Sequence, residues 1–193
     1  LPVVLRLGDR QILAAAAETL TPARLDDFRA LGAPVLAITA HRAQTLKARA
    51  YDGDLSRIAL PPDADIGWIR AMADPSDDLA HPLKGPHRAL RDDGPGPVDL
   101  ARAAIRLAKS ARLLPAMLLI RLEKSLPDLT HIDIAAAGPV LDALSPLHAV
   151  ISARVPLRVS TAGRVHVFRP DDGSEDHTAI EIGKPDRAQP VLA

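Results

Sequence analysis

The sequence predicts an α/β chain, with helices packed on a sheet, followed by the opening strands of a β-rich unit. Three observations carry this. Strand-like apolar runs interleave with helix signals up to about residue 152. The core is aliphatic: 47% of the 193 residues are apolar and only 2% aromatic, which suits helices laid on a sheet. From residue 153 the pattern changes to short alternating runs separated by turn residues.

The elements follow in order. Leu1 to Leu7 reads as a strand, and the short apolar run Gln11 to Ala17 as a second. Thr21 before Pro22 is a helix start, with Asp26 and Asp27 early in the helix, and Gly32 is its stop. Leu25, Phe28 and Leu31 are expected on its inner face. Pro34 to Thr39 reads as a buried strand. Ala40 to Ala50 reads as a helix with His41, Arg42, Lys47 and Arg49 on its wet side. From Tyr51 to Pro97, repeated Pro and Gly predict loops, with one short helix at Ala64 to Met72 burying Ile66, Trp68 or Ile69 with Met72. Val98 to Arg112 is the strongest helix, its stripe formed by Val98, Ala101, Ile105 and Ala108. Pro115 to Leu122 reads as a central strand.

Thr130 with Asp133 reads as a capping-box-like helix start, broken or kinked at Gly138-Pro139 and continuing over Val140 to Leu144. Ala149 to Ser152 is a short strand. Arg154 to Ser160 and Arg164 to Arg169 alternate around Ser160-Thr161-Ala162-Gly163, which predicts a hairpin. Thr178 to Gly183 is a further strand.

Composition excludes several functions. The 24 basic and 24 acidic residues cancel, leaving no basic excess for a phosphate backbone, and few aromatics are available for stacking bases. Nucleic acid is therefore not an expected partner. Without Cys there is no disulfide or thiolate metal site, which fits a reducing cytoplasm. No apolar run reaches the roughly 18 to 20 residues of a membrane helix; Leu113 to Ile120, the longest, contains Pro115. Leu1 leads directly into a strand-like run and Pro190 to Ala193 reads as another strand's beginning, so a fragment of a longer protein is expected.

Four constellations hold residue types that could carry chemistry. Asp171, Asp172, Glu175, Asp176 and His177 lack calcium-loop spacing and read as a solvated loop. His81, Lys84, His87 and Arg88, in a Pro/Gly-rich loop, are the candidate anion-binding residues. Asp92-Asp93-Gly94-Pro95-Gly96-Pro97 precedes the strong helix. Its prolines remove amide donors and its aspartates repel anions, so it reads as a tight lead-in, not a phosphate cradle. Gly8-Asp9-Arg10 offers one acid and one base, too few for a site. No G-x-S-x-G, H-E-x-x-H or P-loop occurs. No catalytic or metal-binding residue is assigned.

The order of elements and several strings resemble two families. Leu-Pro-Val-Val-Leu-Arg-Leu-Gly-Asp-Arg through Ala-Ala-Glu-Thr-Leu-Thr, the helix from Pro22, the strand from Pro34, Val-Asp-Leu-Ala-Arg after Pro97 and the Pro-Ala-Met-Leu-Leu strand resemble 3,4-dihydroxy-2-butanone 4-phosphate (DHBP) synthase, an enzyme of riboflavin biosynthesis. The resemblance spans about residues 1–152 and implies a DHBP-synthase-like mixed sheet with helices packed on it. The family's acidic loop is reduced to Leu7-Gly8-Asp9-Arg10-Gln11. Its G-H-T-E-A is replaced by Asp93-Gly94-Pro95-Gly96-Pro97, and its R-P-G-H-x-F-P-L by His81-Pro82-Leu83-Lys84. Magnesium chemistry needs hard oxygen ligands, and these departures remove them, so no synthase activity is expected of this segment.

Residues 153–193 resemble the first strands of GTP cyclohydrolase II. The matching strings are Arg-Val-Pro-Leu, Gly-Arg-Val-His-Val-Phe, Glu-Asp-His-Thr-Ala-Ile-Glu-Ile-Gly-Lys-Pro and Pro-Val-Leu-Ala. That resemblance implies a parent protein that hydrolyses GTP, with zinc held by cysteines in a downstream domain and no cofactor in this segment. It also implies a homodimer, with that downstream domain as partner. The rivals are a regulatory sugar-phosphate or nucleotide binding module and a divergent active synthase.

Overall fold

The computed structural model describes residues 1–193 except 83, 92–96, 144–145, 159–160, 185, 187 and 190–193. The chain divides into two units, Leu1–Asp142 and Ala143–Ala193.

The first unit is a six-stranded mixed sheet in the order β4-β3-β5-β2-β1-β6 with helices on both faces. Its strands are β1 (Val3–Leu7), β2 (Arg10–Ala16), β3 (Val35–Thr39), β4 (Leu55–Ala59), β5 (Ala116–Arg121) and β6 (Thr130–Asp133). Only β1 and β6 pair in parallel; the other neighbours are antiparallel. The helices are α1 (Pro22–Ala30), α2 (Ala40–Thr45), α3 (Ile66–Ala73), α4 (Val98–Ser110) and α5 (Ile134–Asp142), with a 3-10 turn at Pro75–Asp77.

Strand period two sorts the apolar side chains onto two faces. Val4, Leu13, Leu36, Ile38, Ile58 and Leu118 meet Leu25 and Phe28 of α1 and Ile69 and Met72 of α3. Leu5, Ile12, Ala14, Ala37, Leu55 and Leu119 meet Leu100, Ala101, Ala104, Ile105 and Ala108 of α4. Alanines on both sides of this second contact let the helix backbone lie close to the sheet.

Most helix ends follow the expected chemistry. The Thr21 and Thr39 hydroxyls accept from the backbone amides of Arg24 and Arg42, capping α1 and α2, and Asp65 caps α3 through Trp68. Both α2 and α4 close with a basic residue in the left-handed region, Lys47 at φ 56° and Arg112 at φ 56°. The next amides, of Ala48 and Leu113, reach back to the carbonyls of Ala43 and Ala108, the bond of a Schellman cap.

Several expectations are corrected. Leu31 is 45% exposed, because α1 ends at Ala30 and Leu31 is its cap. The second helix stops at Thr45, and Arg42 is buried, not on the wet side. β4 lies in the stretch expected to be loop. Its sequence Leu-Ser-Arg-Ile-Ala hides a fully paired strand, because Ser56 and Arg57 are buried with partners of their own. Thr130 opens a strand instead of capping a helix: residues 130–133 pair with β1, and Asp133 accepts from the Ala135 amide at the start of α5. Gly138 and Pro139 lie inside α5, which ends at Asp142, so the helical stretch expected to Leu144 stops short; Leu144 itself is outside the described residues.

The second unit is a three-stranded antiparallel sheet of β7 (Leu147–Arg154), β8 (Gly163–Pro170) and β9 (His177–Ile182). The hairpin is formed, but its first strand is Leu147–Arg154, which absorbs the short strand expected at 149–152. Of the strand expected from Arg154 to Ser160, Arg154 is the last residue of β7 and Val155 to Arg158 join β7 to β8. Gly163 is required where β8 begins: a side chain there would strike the Val155 carbonyl and Leu157. Register places Ile151, Ala153, Val165, Val167, Ile180 and Ile182 on one face. The other carries Ser152, Arg154, Arg164, His166 and Glu181, with Arg164 donating to the Ser152 hydroxyl and His166 paired to Glu181.

Arg57 is 1% exposed in β4 and held by Asp52 through Nε at 2.7 Å and Nη2 at 2.9 Å. Removing the acid takes this two-bonded carboxylate away from a buried guanidinium. We therefore expect Asp52→Ala to cost about 3–5 kcal/mol in urea unfolding; a loss under 1 kcal/mol would show that the pair is dispensable.

Candidate functional site

Two regions bear on function. The first is the corner where β1, β2 and the start of α4 meet. Leu7 pairs with Arg10, so only Gly8 and Asp9 form the turn, with Gly8 at φ 59° as a tight primed turn requires. No acidic loop fits in two residues. Arg10 reaches across to Asp99 at 3.1 Å, and Arg102 lies 3.8 Å from the same carboxylate. Arg102 also grips Asp54 with two bonds, at 2.6 and 2.7 Å, which hold the Asp54 carboxyl below its usual range. Arg106 pairs with Asp142 of α5. Asp99, Asp54 and Asp142 are thus matched to arginines, while Asp9 sits in the turn. Among the described residues no group of three His, Cys, Asp or Glu could hold a metal. Asp92 to Gly96, where the family's remaining ligands would fall, lie outside the described residues, while Pro97 is the N-cap of α4.

The second region is a cleft of about 750 Å³ lined by Thr45, Leu46, Lys47, Asp78, Pro82, Lys84, Gly85, Pro86 and His87. Its floor is a charge network anchored by Arg42. The Arg42 guanidinium donates to the carbonyls of Ala71, Met72 and Asp74 at the C-terminal end of α3. These carbonyls have no helical partner, and a cation there also meets the negative end of the helix dipole. The same guanidinium grips both oxygens of Asp78, at 2.6 and 2.7 Å, and the Lys84 ammonium donates to Asp78 Oδ1 at 2.6 Å. Arg42 first and Lys84 second hold the Asp78 carboxyl far below its usual range. Lys84 is buried, and its carbonyl accepts from the Trp68 indole at 3.2 Å. His87 packs near Trp68, with ring centroids 6.4 Å apart. Burial pushes its pKa below the usual imidazole value; the Leu46 backbone opposes this and the Lys84 charge adds to it.

Of the four candidate anion-binding residues, Lys84 and His87 line the cleft. His81 and Arg88 are exposed and lie outside its lining, and the Arg88 carbonyl accepts from the Ala59 amide at the sheet edge. Lys47, Thr45, Arg42 and Asp78 were not singled out from sequence. Nothing in the pattern around Arg42 distinguishes it from a solvent-facing arginine. The acidic loop of the second unit behaves as expected: Asp176 pairs with Arg169 and Asp171 with His148, all on exposed side chains.

The fold is shared with DHBP synthases. A cation-free DHBP synthase structure superposes with a TM-score of 0.51 at 15% identity, covering 73% of this chain and 90% of that one. The enzyme of Candida albicans gives 0.51 at 14% identity over 74% and 91%. The class defined is therefore a DHBP-synthase-like α/β fold with a small β-sheet unit after it. By sequence, the chain is 32% identical over 177 residues to GTP cyclohydrolase-2 of Azospirillum brasilense, covering 83% of this chain. It spans 44% of that protein's length. No family model matches. The two relationships together fit a DHBP-synthase-like domain joined to a GTP cyclohydrolase 2 sequence.

Two titrations in the cleft contribute to the acid response. The folded pKa of His87 lies below its unfolded value of about 6.5, and that of Asp78 below about 3.9. For both, the unfolded chain binds protons first on acidification, so stability is complete above these unfolded values and is lost as pH falls through the folded ones. Urea midpoints should be flat above pH 7 and begin to fall below about pH 6.5. His87→Gln should remove that first decline and leave the later one; an unchanged profile in this variant would exclude His87 as its source.

Proposed function

We propose that this chain is a non-catalytic DHBP-synthase-like part of a riboflavin-biosynthesis protein whose activity is that of GTP cyclohydrolase II. That activity would convert GTP to the diaminopyrimidine ribosyl phosphate, formate and pyrophosphate. The observation that carries the first half is the corner at β1, β2 and α4. A two-residue turn with the single acid Asp9, and Asp99 and Asp54 paired to arginines, stand where a magnesium-dependent enzyme needs several free oxygen ligands. The described residues here do not fit a divalent cation.

The second half is supported by the sequence relationship to GTP cyclohydrolase-2 and by the small sheet. One face of that sheet presents Ile151, Ile180 and Ile182, each more than half exposed. Apolar faces of this kind are covered in stable domains, which is what further parent sequence would do. The chain has no cysteine, so it supplies no thiolate to zinc; such ligands would come from the rest of the parent. We propose cytoplasmic residence and a homodimeric parent on the same resemblance. Among the described residues no helix is long and apolar enough to cross a membrane.

The test has two arms. The 193-residue chain, given ribulose 5-phosphate and magnesium, should form no dihydroxybutanone phosphate above the protein-free rate. The full-length parent should release formate from GTP and lose that activity on zinc chelation. Synthase turnover by the chain would overturn the non-catalytic assignment; a parent inert toward GTP would overturn the other half.

A further inference from the structure

We propose that the second unit holds a binding site for a small dicarboxylate, gripped by Arg154 and Arg164 with Lys184 as a third cation. The site is a groove of about 330 Å³ whose lining includes Arg154, Thr161, Arg164, Glu181, Gly183 and Lys184. Arg154, Arg164 and Glu181 place it on the polar face of the small sheet, opposite Ile151, Ile180 and Ile182. This goes beyond the reading above, which rests on other residues.

Register sets the charges. Arg154 stands directly opposite Arg164, and Arg164 directly opposite Glu181. Cross-strand partners on one face lie about 5 Å apart at Cβ, and like charges so placed repel. The fold therefore holds two guanidiniums side by side against their repulsion. Among the described residues the ion pairs of this sheet are His148–Asp171, His166–Glu181 and Arg169–Asp176, and none involves Arg154, Arg164 or Lys184. Arg164 donates instead to the neutral Ser152 hydroxyl at 3.0 Å. Glu181, the one acid of the lining, is engaged by His166 at 3.1 Å. Three cations against one carboxylate leave a local excess of positive charge, which an anion from solution relieves.

The arrangement also selects the class of anion. Each guanidinium fork matches a planar carboxylate through two parallel bonds. An anion with its charges at two ends gives one carboxylate to each arginine. A phosphate carries both charges on one centre and sets them against Glu181. The Thr161 hydroxyl adds a neutral donor. Among the described lining residues Ala162 is the largest apolar one, so nothing clasps an aromatic ring or a long hydrocarbon body. The volume lies at the lower end of the usual range for small-molecule sites. A short, flexible diacid such as succinate fits these limits.

Arg154 allows a clean test. It is exposed at the end of β7, and its removal relieves the repulsion with Arg164. Arg154→Gln should therefore keep a Tm at or above the parent's while losing one fork. The experiment is calorimetric titration of the 193-residue chain with succinate, acetate and inorganic phosphate at fixed ionic strength. Succinate should bind at least fivefold more tightly than either of the others. Arg154→Gln should weaken succinate at least fivefold. Arg169→Gln removes the same charge from this sheet outside the groove, and should leave succinate binding unchanged. Absence of succinate binding, or undiminished affinity in Arg154→Gln, overturns the proposal. Equal weakening by Arg169→Gln overturns it as well, since net charge alone would then account for the binding. Acetate or phosphate binding as tightly as succinate overturns the dicarboxylate assignment. No metal, GTP or ribulose 5-phosphate enters, so this result and those of the two assays above are independent.

Discussion

The capture of the α3 C-terminus by Arg42 is the constraint on which one face of the first unit depends. A short helix ends there with carbonyls that nothing in the helix can satisfy. Arg42 projects from α2 and supplies a planar fork of donors to Ala71, Met72 and Asp74. Its remaining valence fixes Asp78, and Asp78 fixes Lys84. One side chain thus joins α2, α3 and the segment that follows the 3-10 turn. A lysine could not replace it, because a point charge cannot meet three carbonyls and a carboxylate in one plane. Burial of the guanidinium is tolerable because its bonds are made.

On the other face the organising contact is steric. Ala101, Ala104 and Ala108 of α4 meet Ala14, Ala16 and Ala37 of the sheet, so the helix is held by close backbone approach instead of by large side chains. Such a contact has little directionality. Direction comes from the rim, where Arg10–Asp99, Arg102–Asp54 and Arg106–Asp142 tie α4 to the β1–β2 turn, to the segment before β4 and to α5. Each exposed pair is weak alone, but the three act at separate points and set the helix register on the sheet.

Legibility from sequence followed the balance between periodicity and polar pairing. β1, β2, β3, α1, α4 and β5 were readable because apolar spacing and caps agreed, as at Thr21-Pro22. β4 was not readable, since its Ser56 and Arg57 look solvent-facing until Arg49 and Asp52 are placed beside them. Thr130 to Asp133 carried a valid capping signal, and parallel pairing with β1 overrode it. In the candidate site, Lys84 and His87 were legible as basic groups in a Pro/Gly-rich loop. Arg42 and Asp78 were not, because their meaning lies in a contact spanning 36 residues.

The β1–β2 sheet register does not depend on the tight turn that joins the two strands. β1 and β2 are flanked by β6 and β5, and their register is fixed by Val4, Leu5, Ile12 and Leu13, all buried. A one-residue slip would turn each of these to the wrong face. A connection of only Gly8 and Asp9 holds that register, since the turn contributes no core side chain. The turn and the structural sheet are therefore separable: both apolar layers are complete with a connection of two residues.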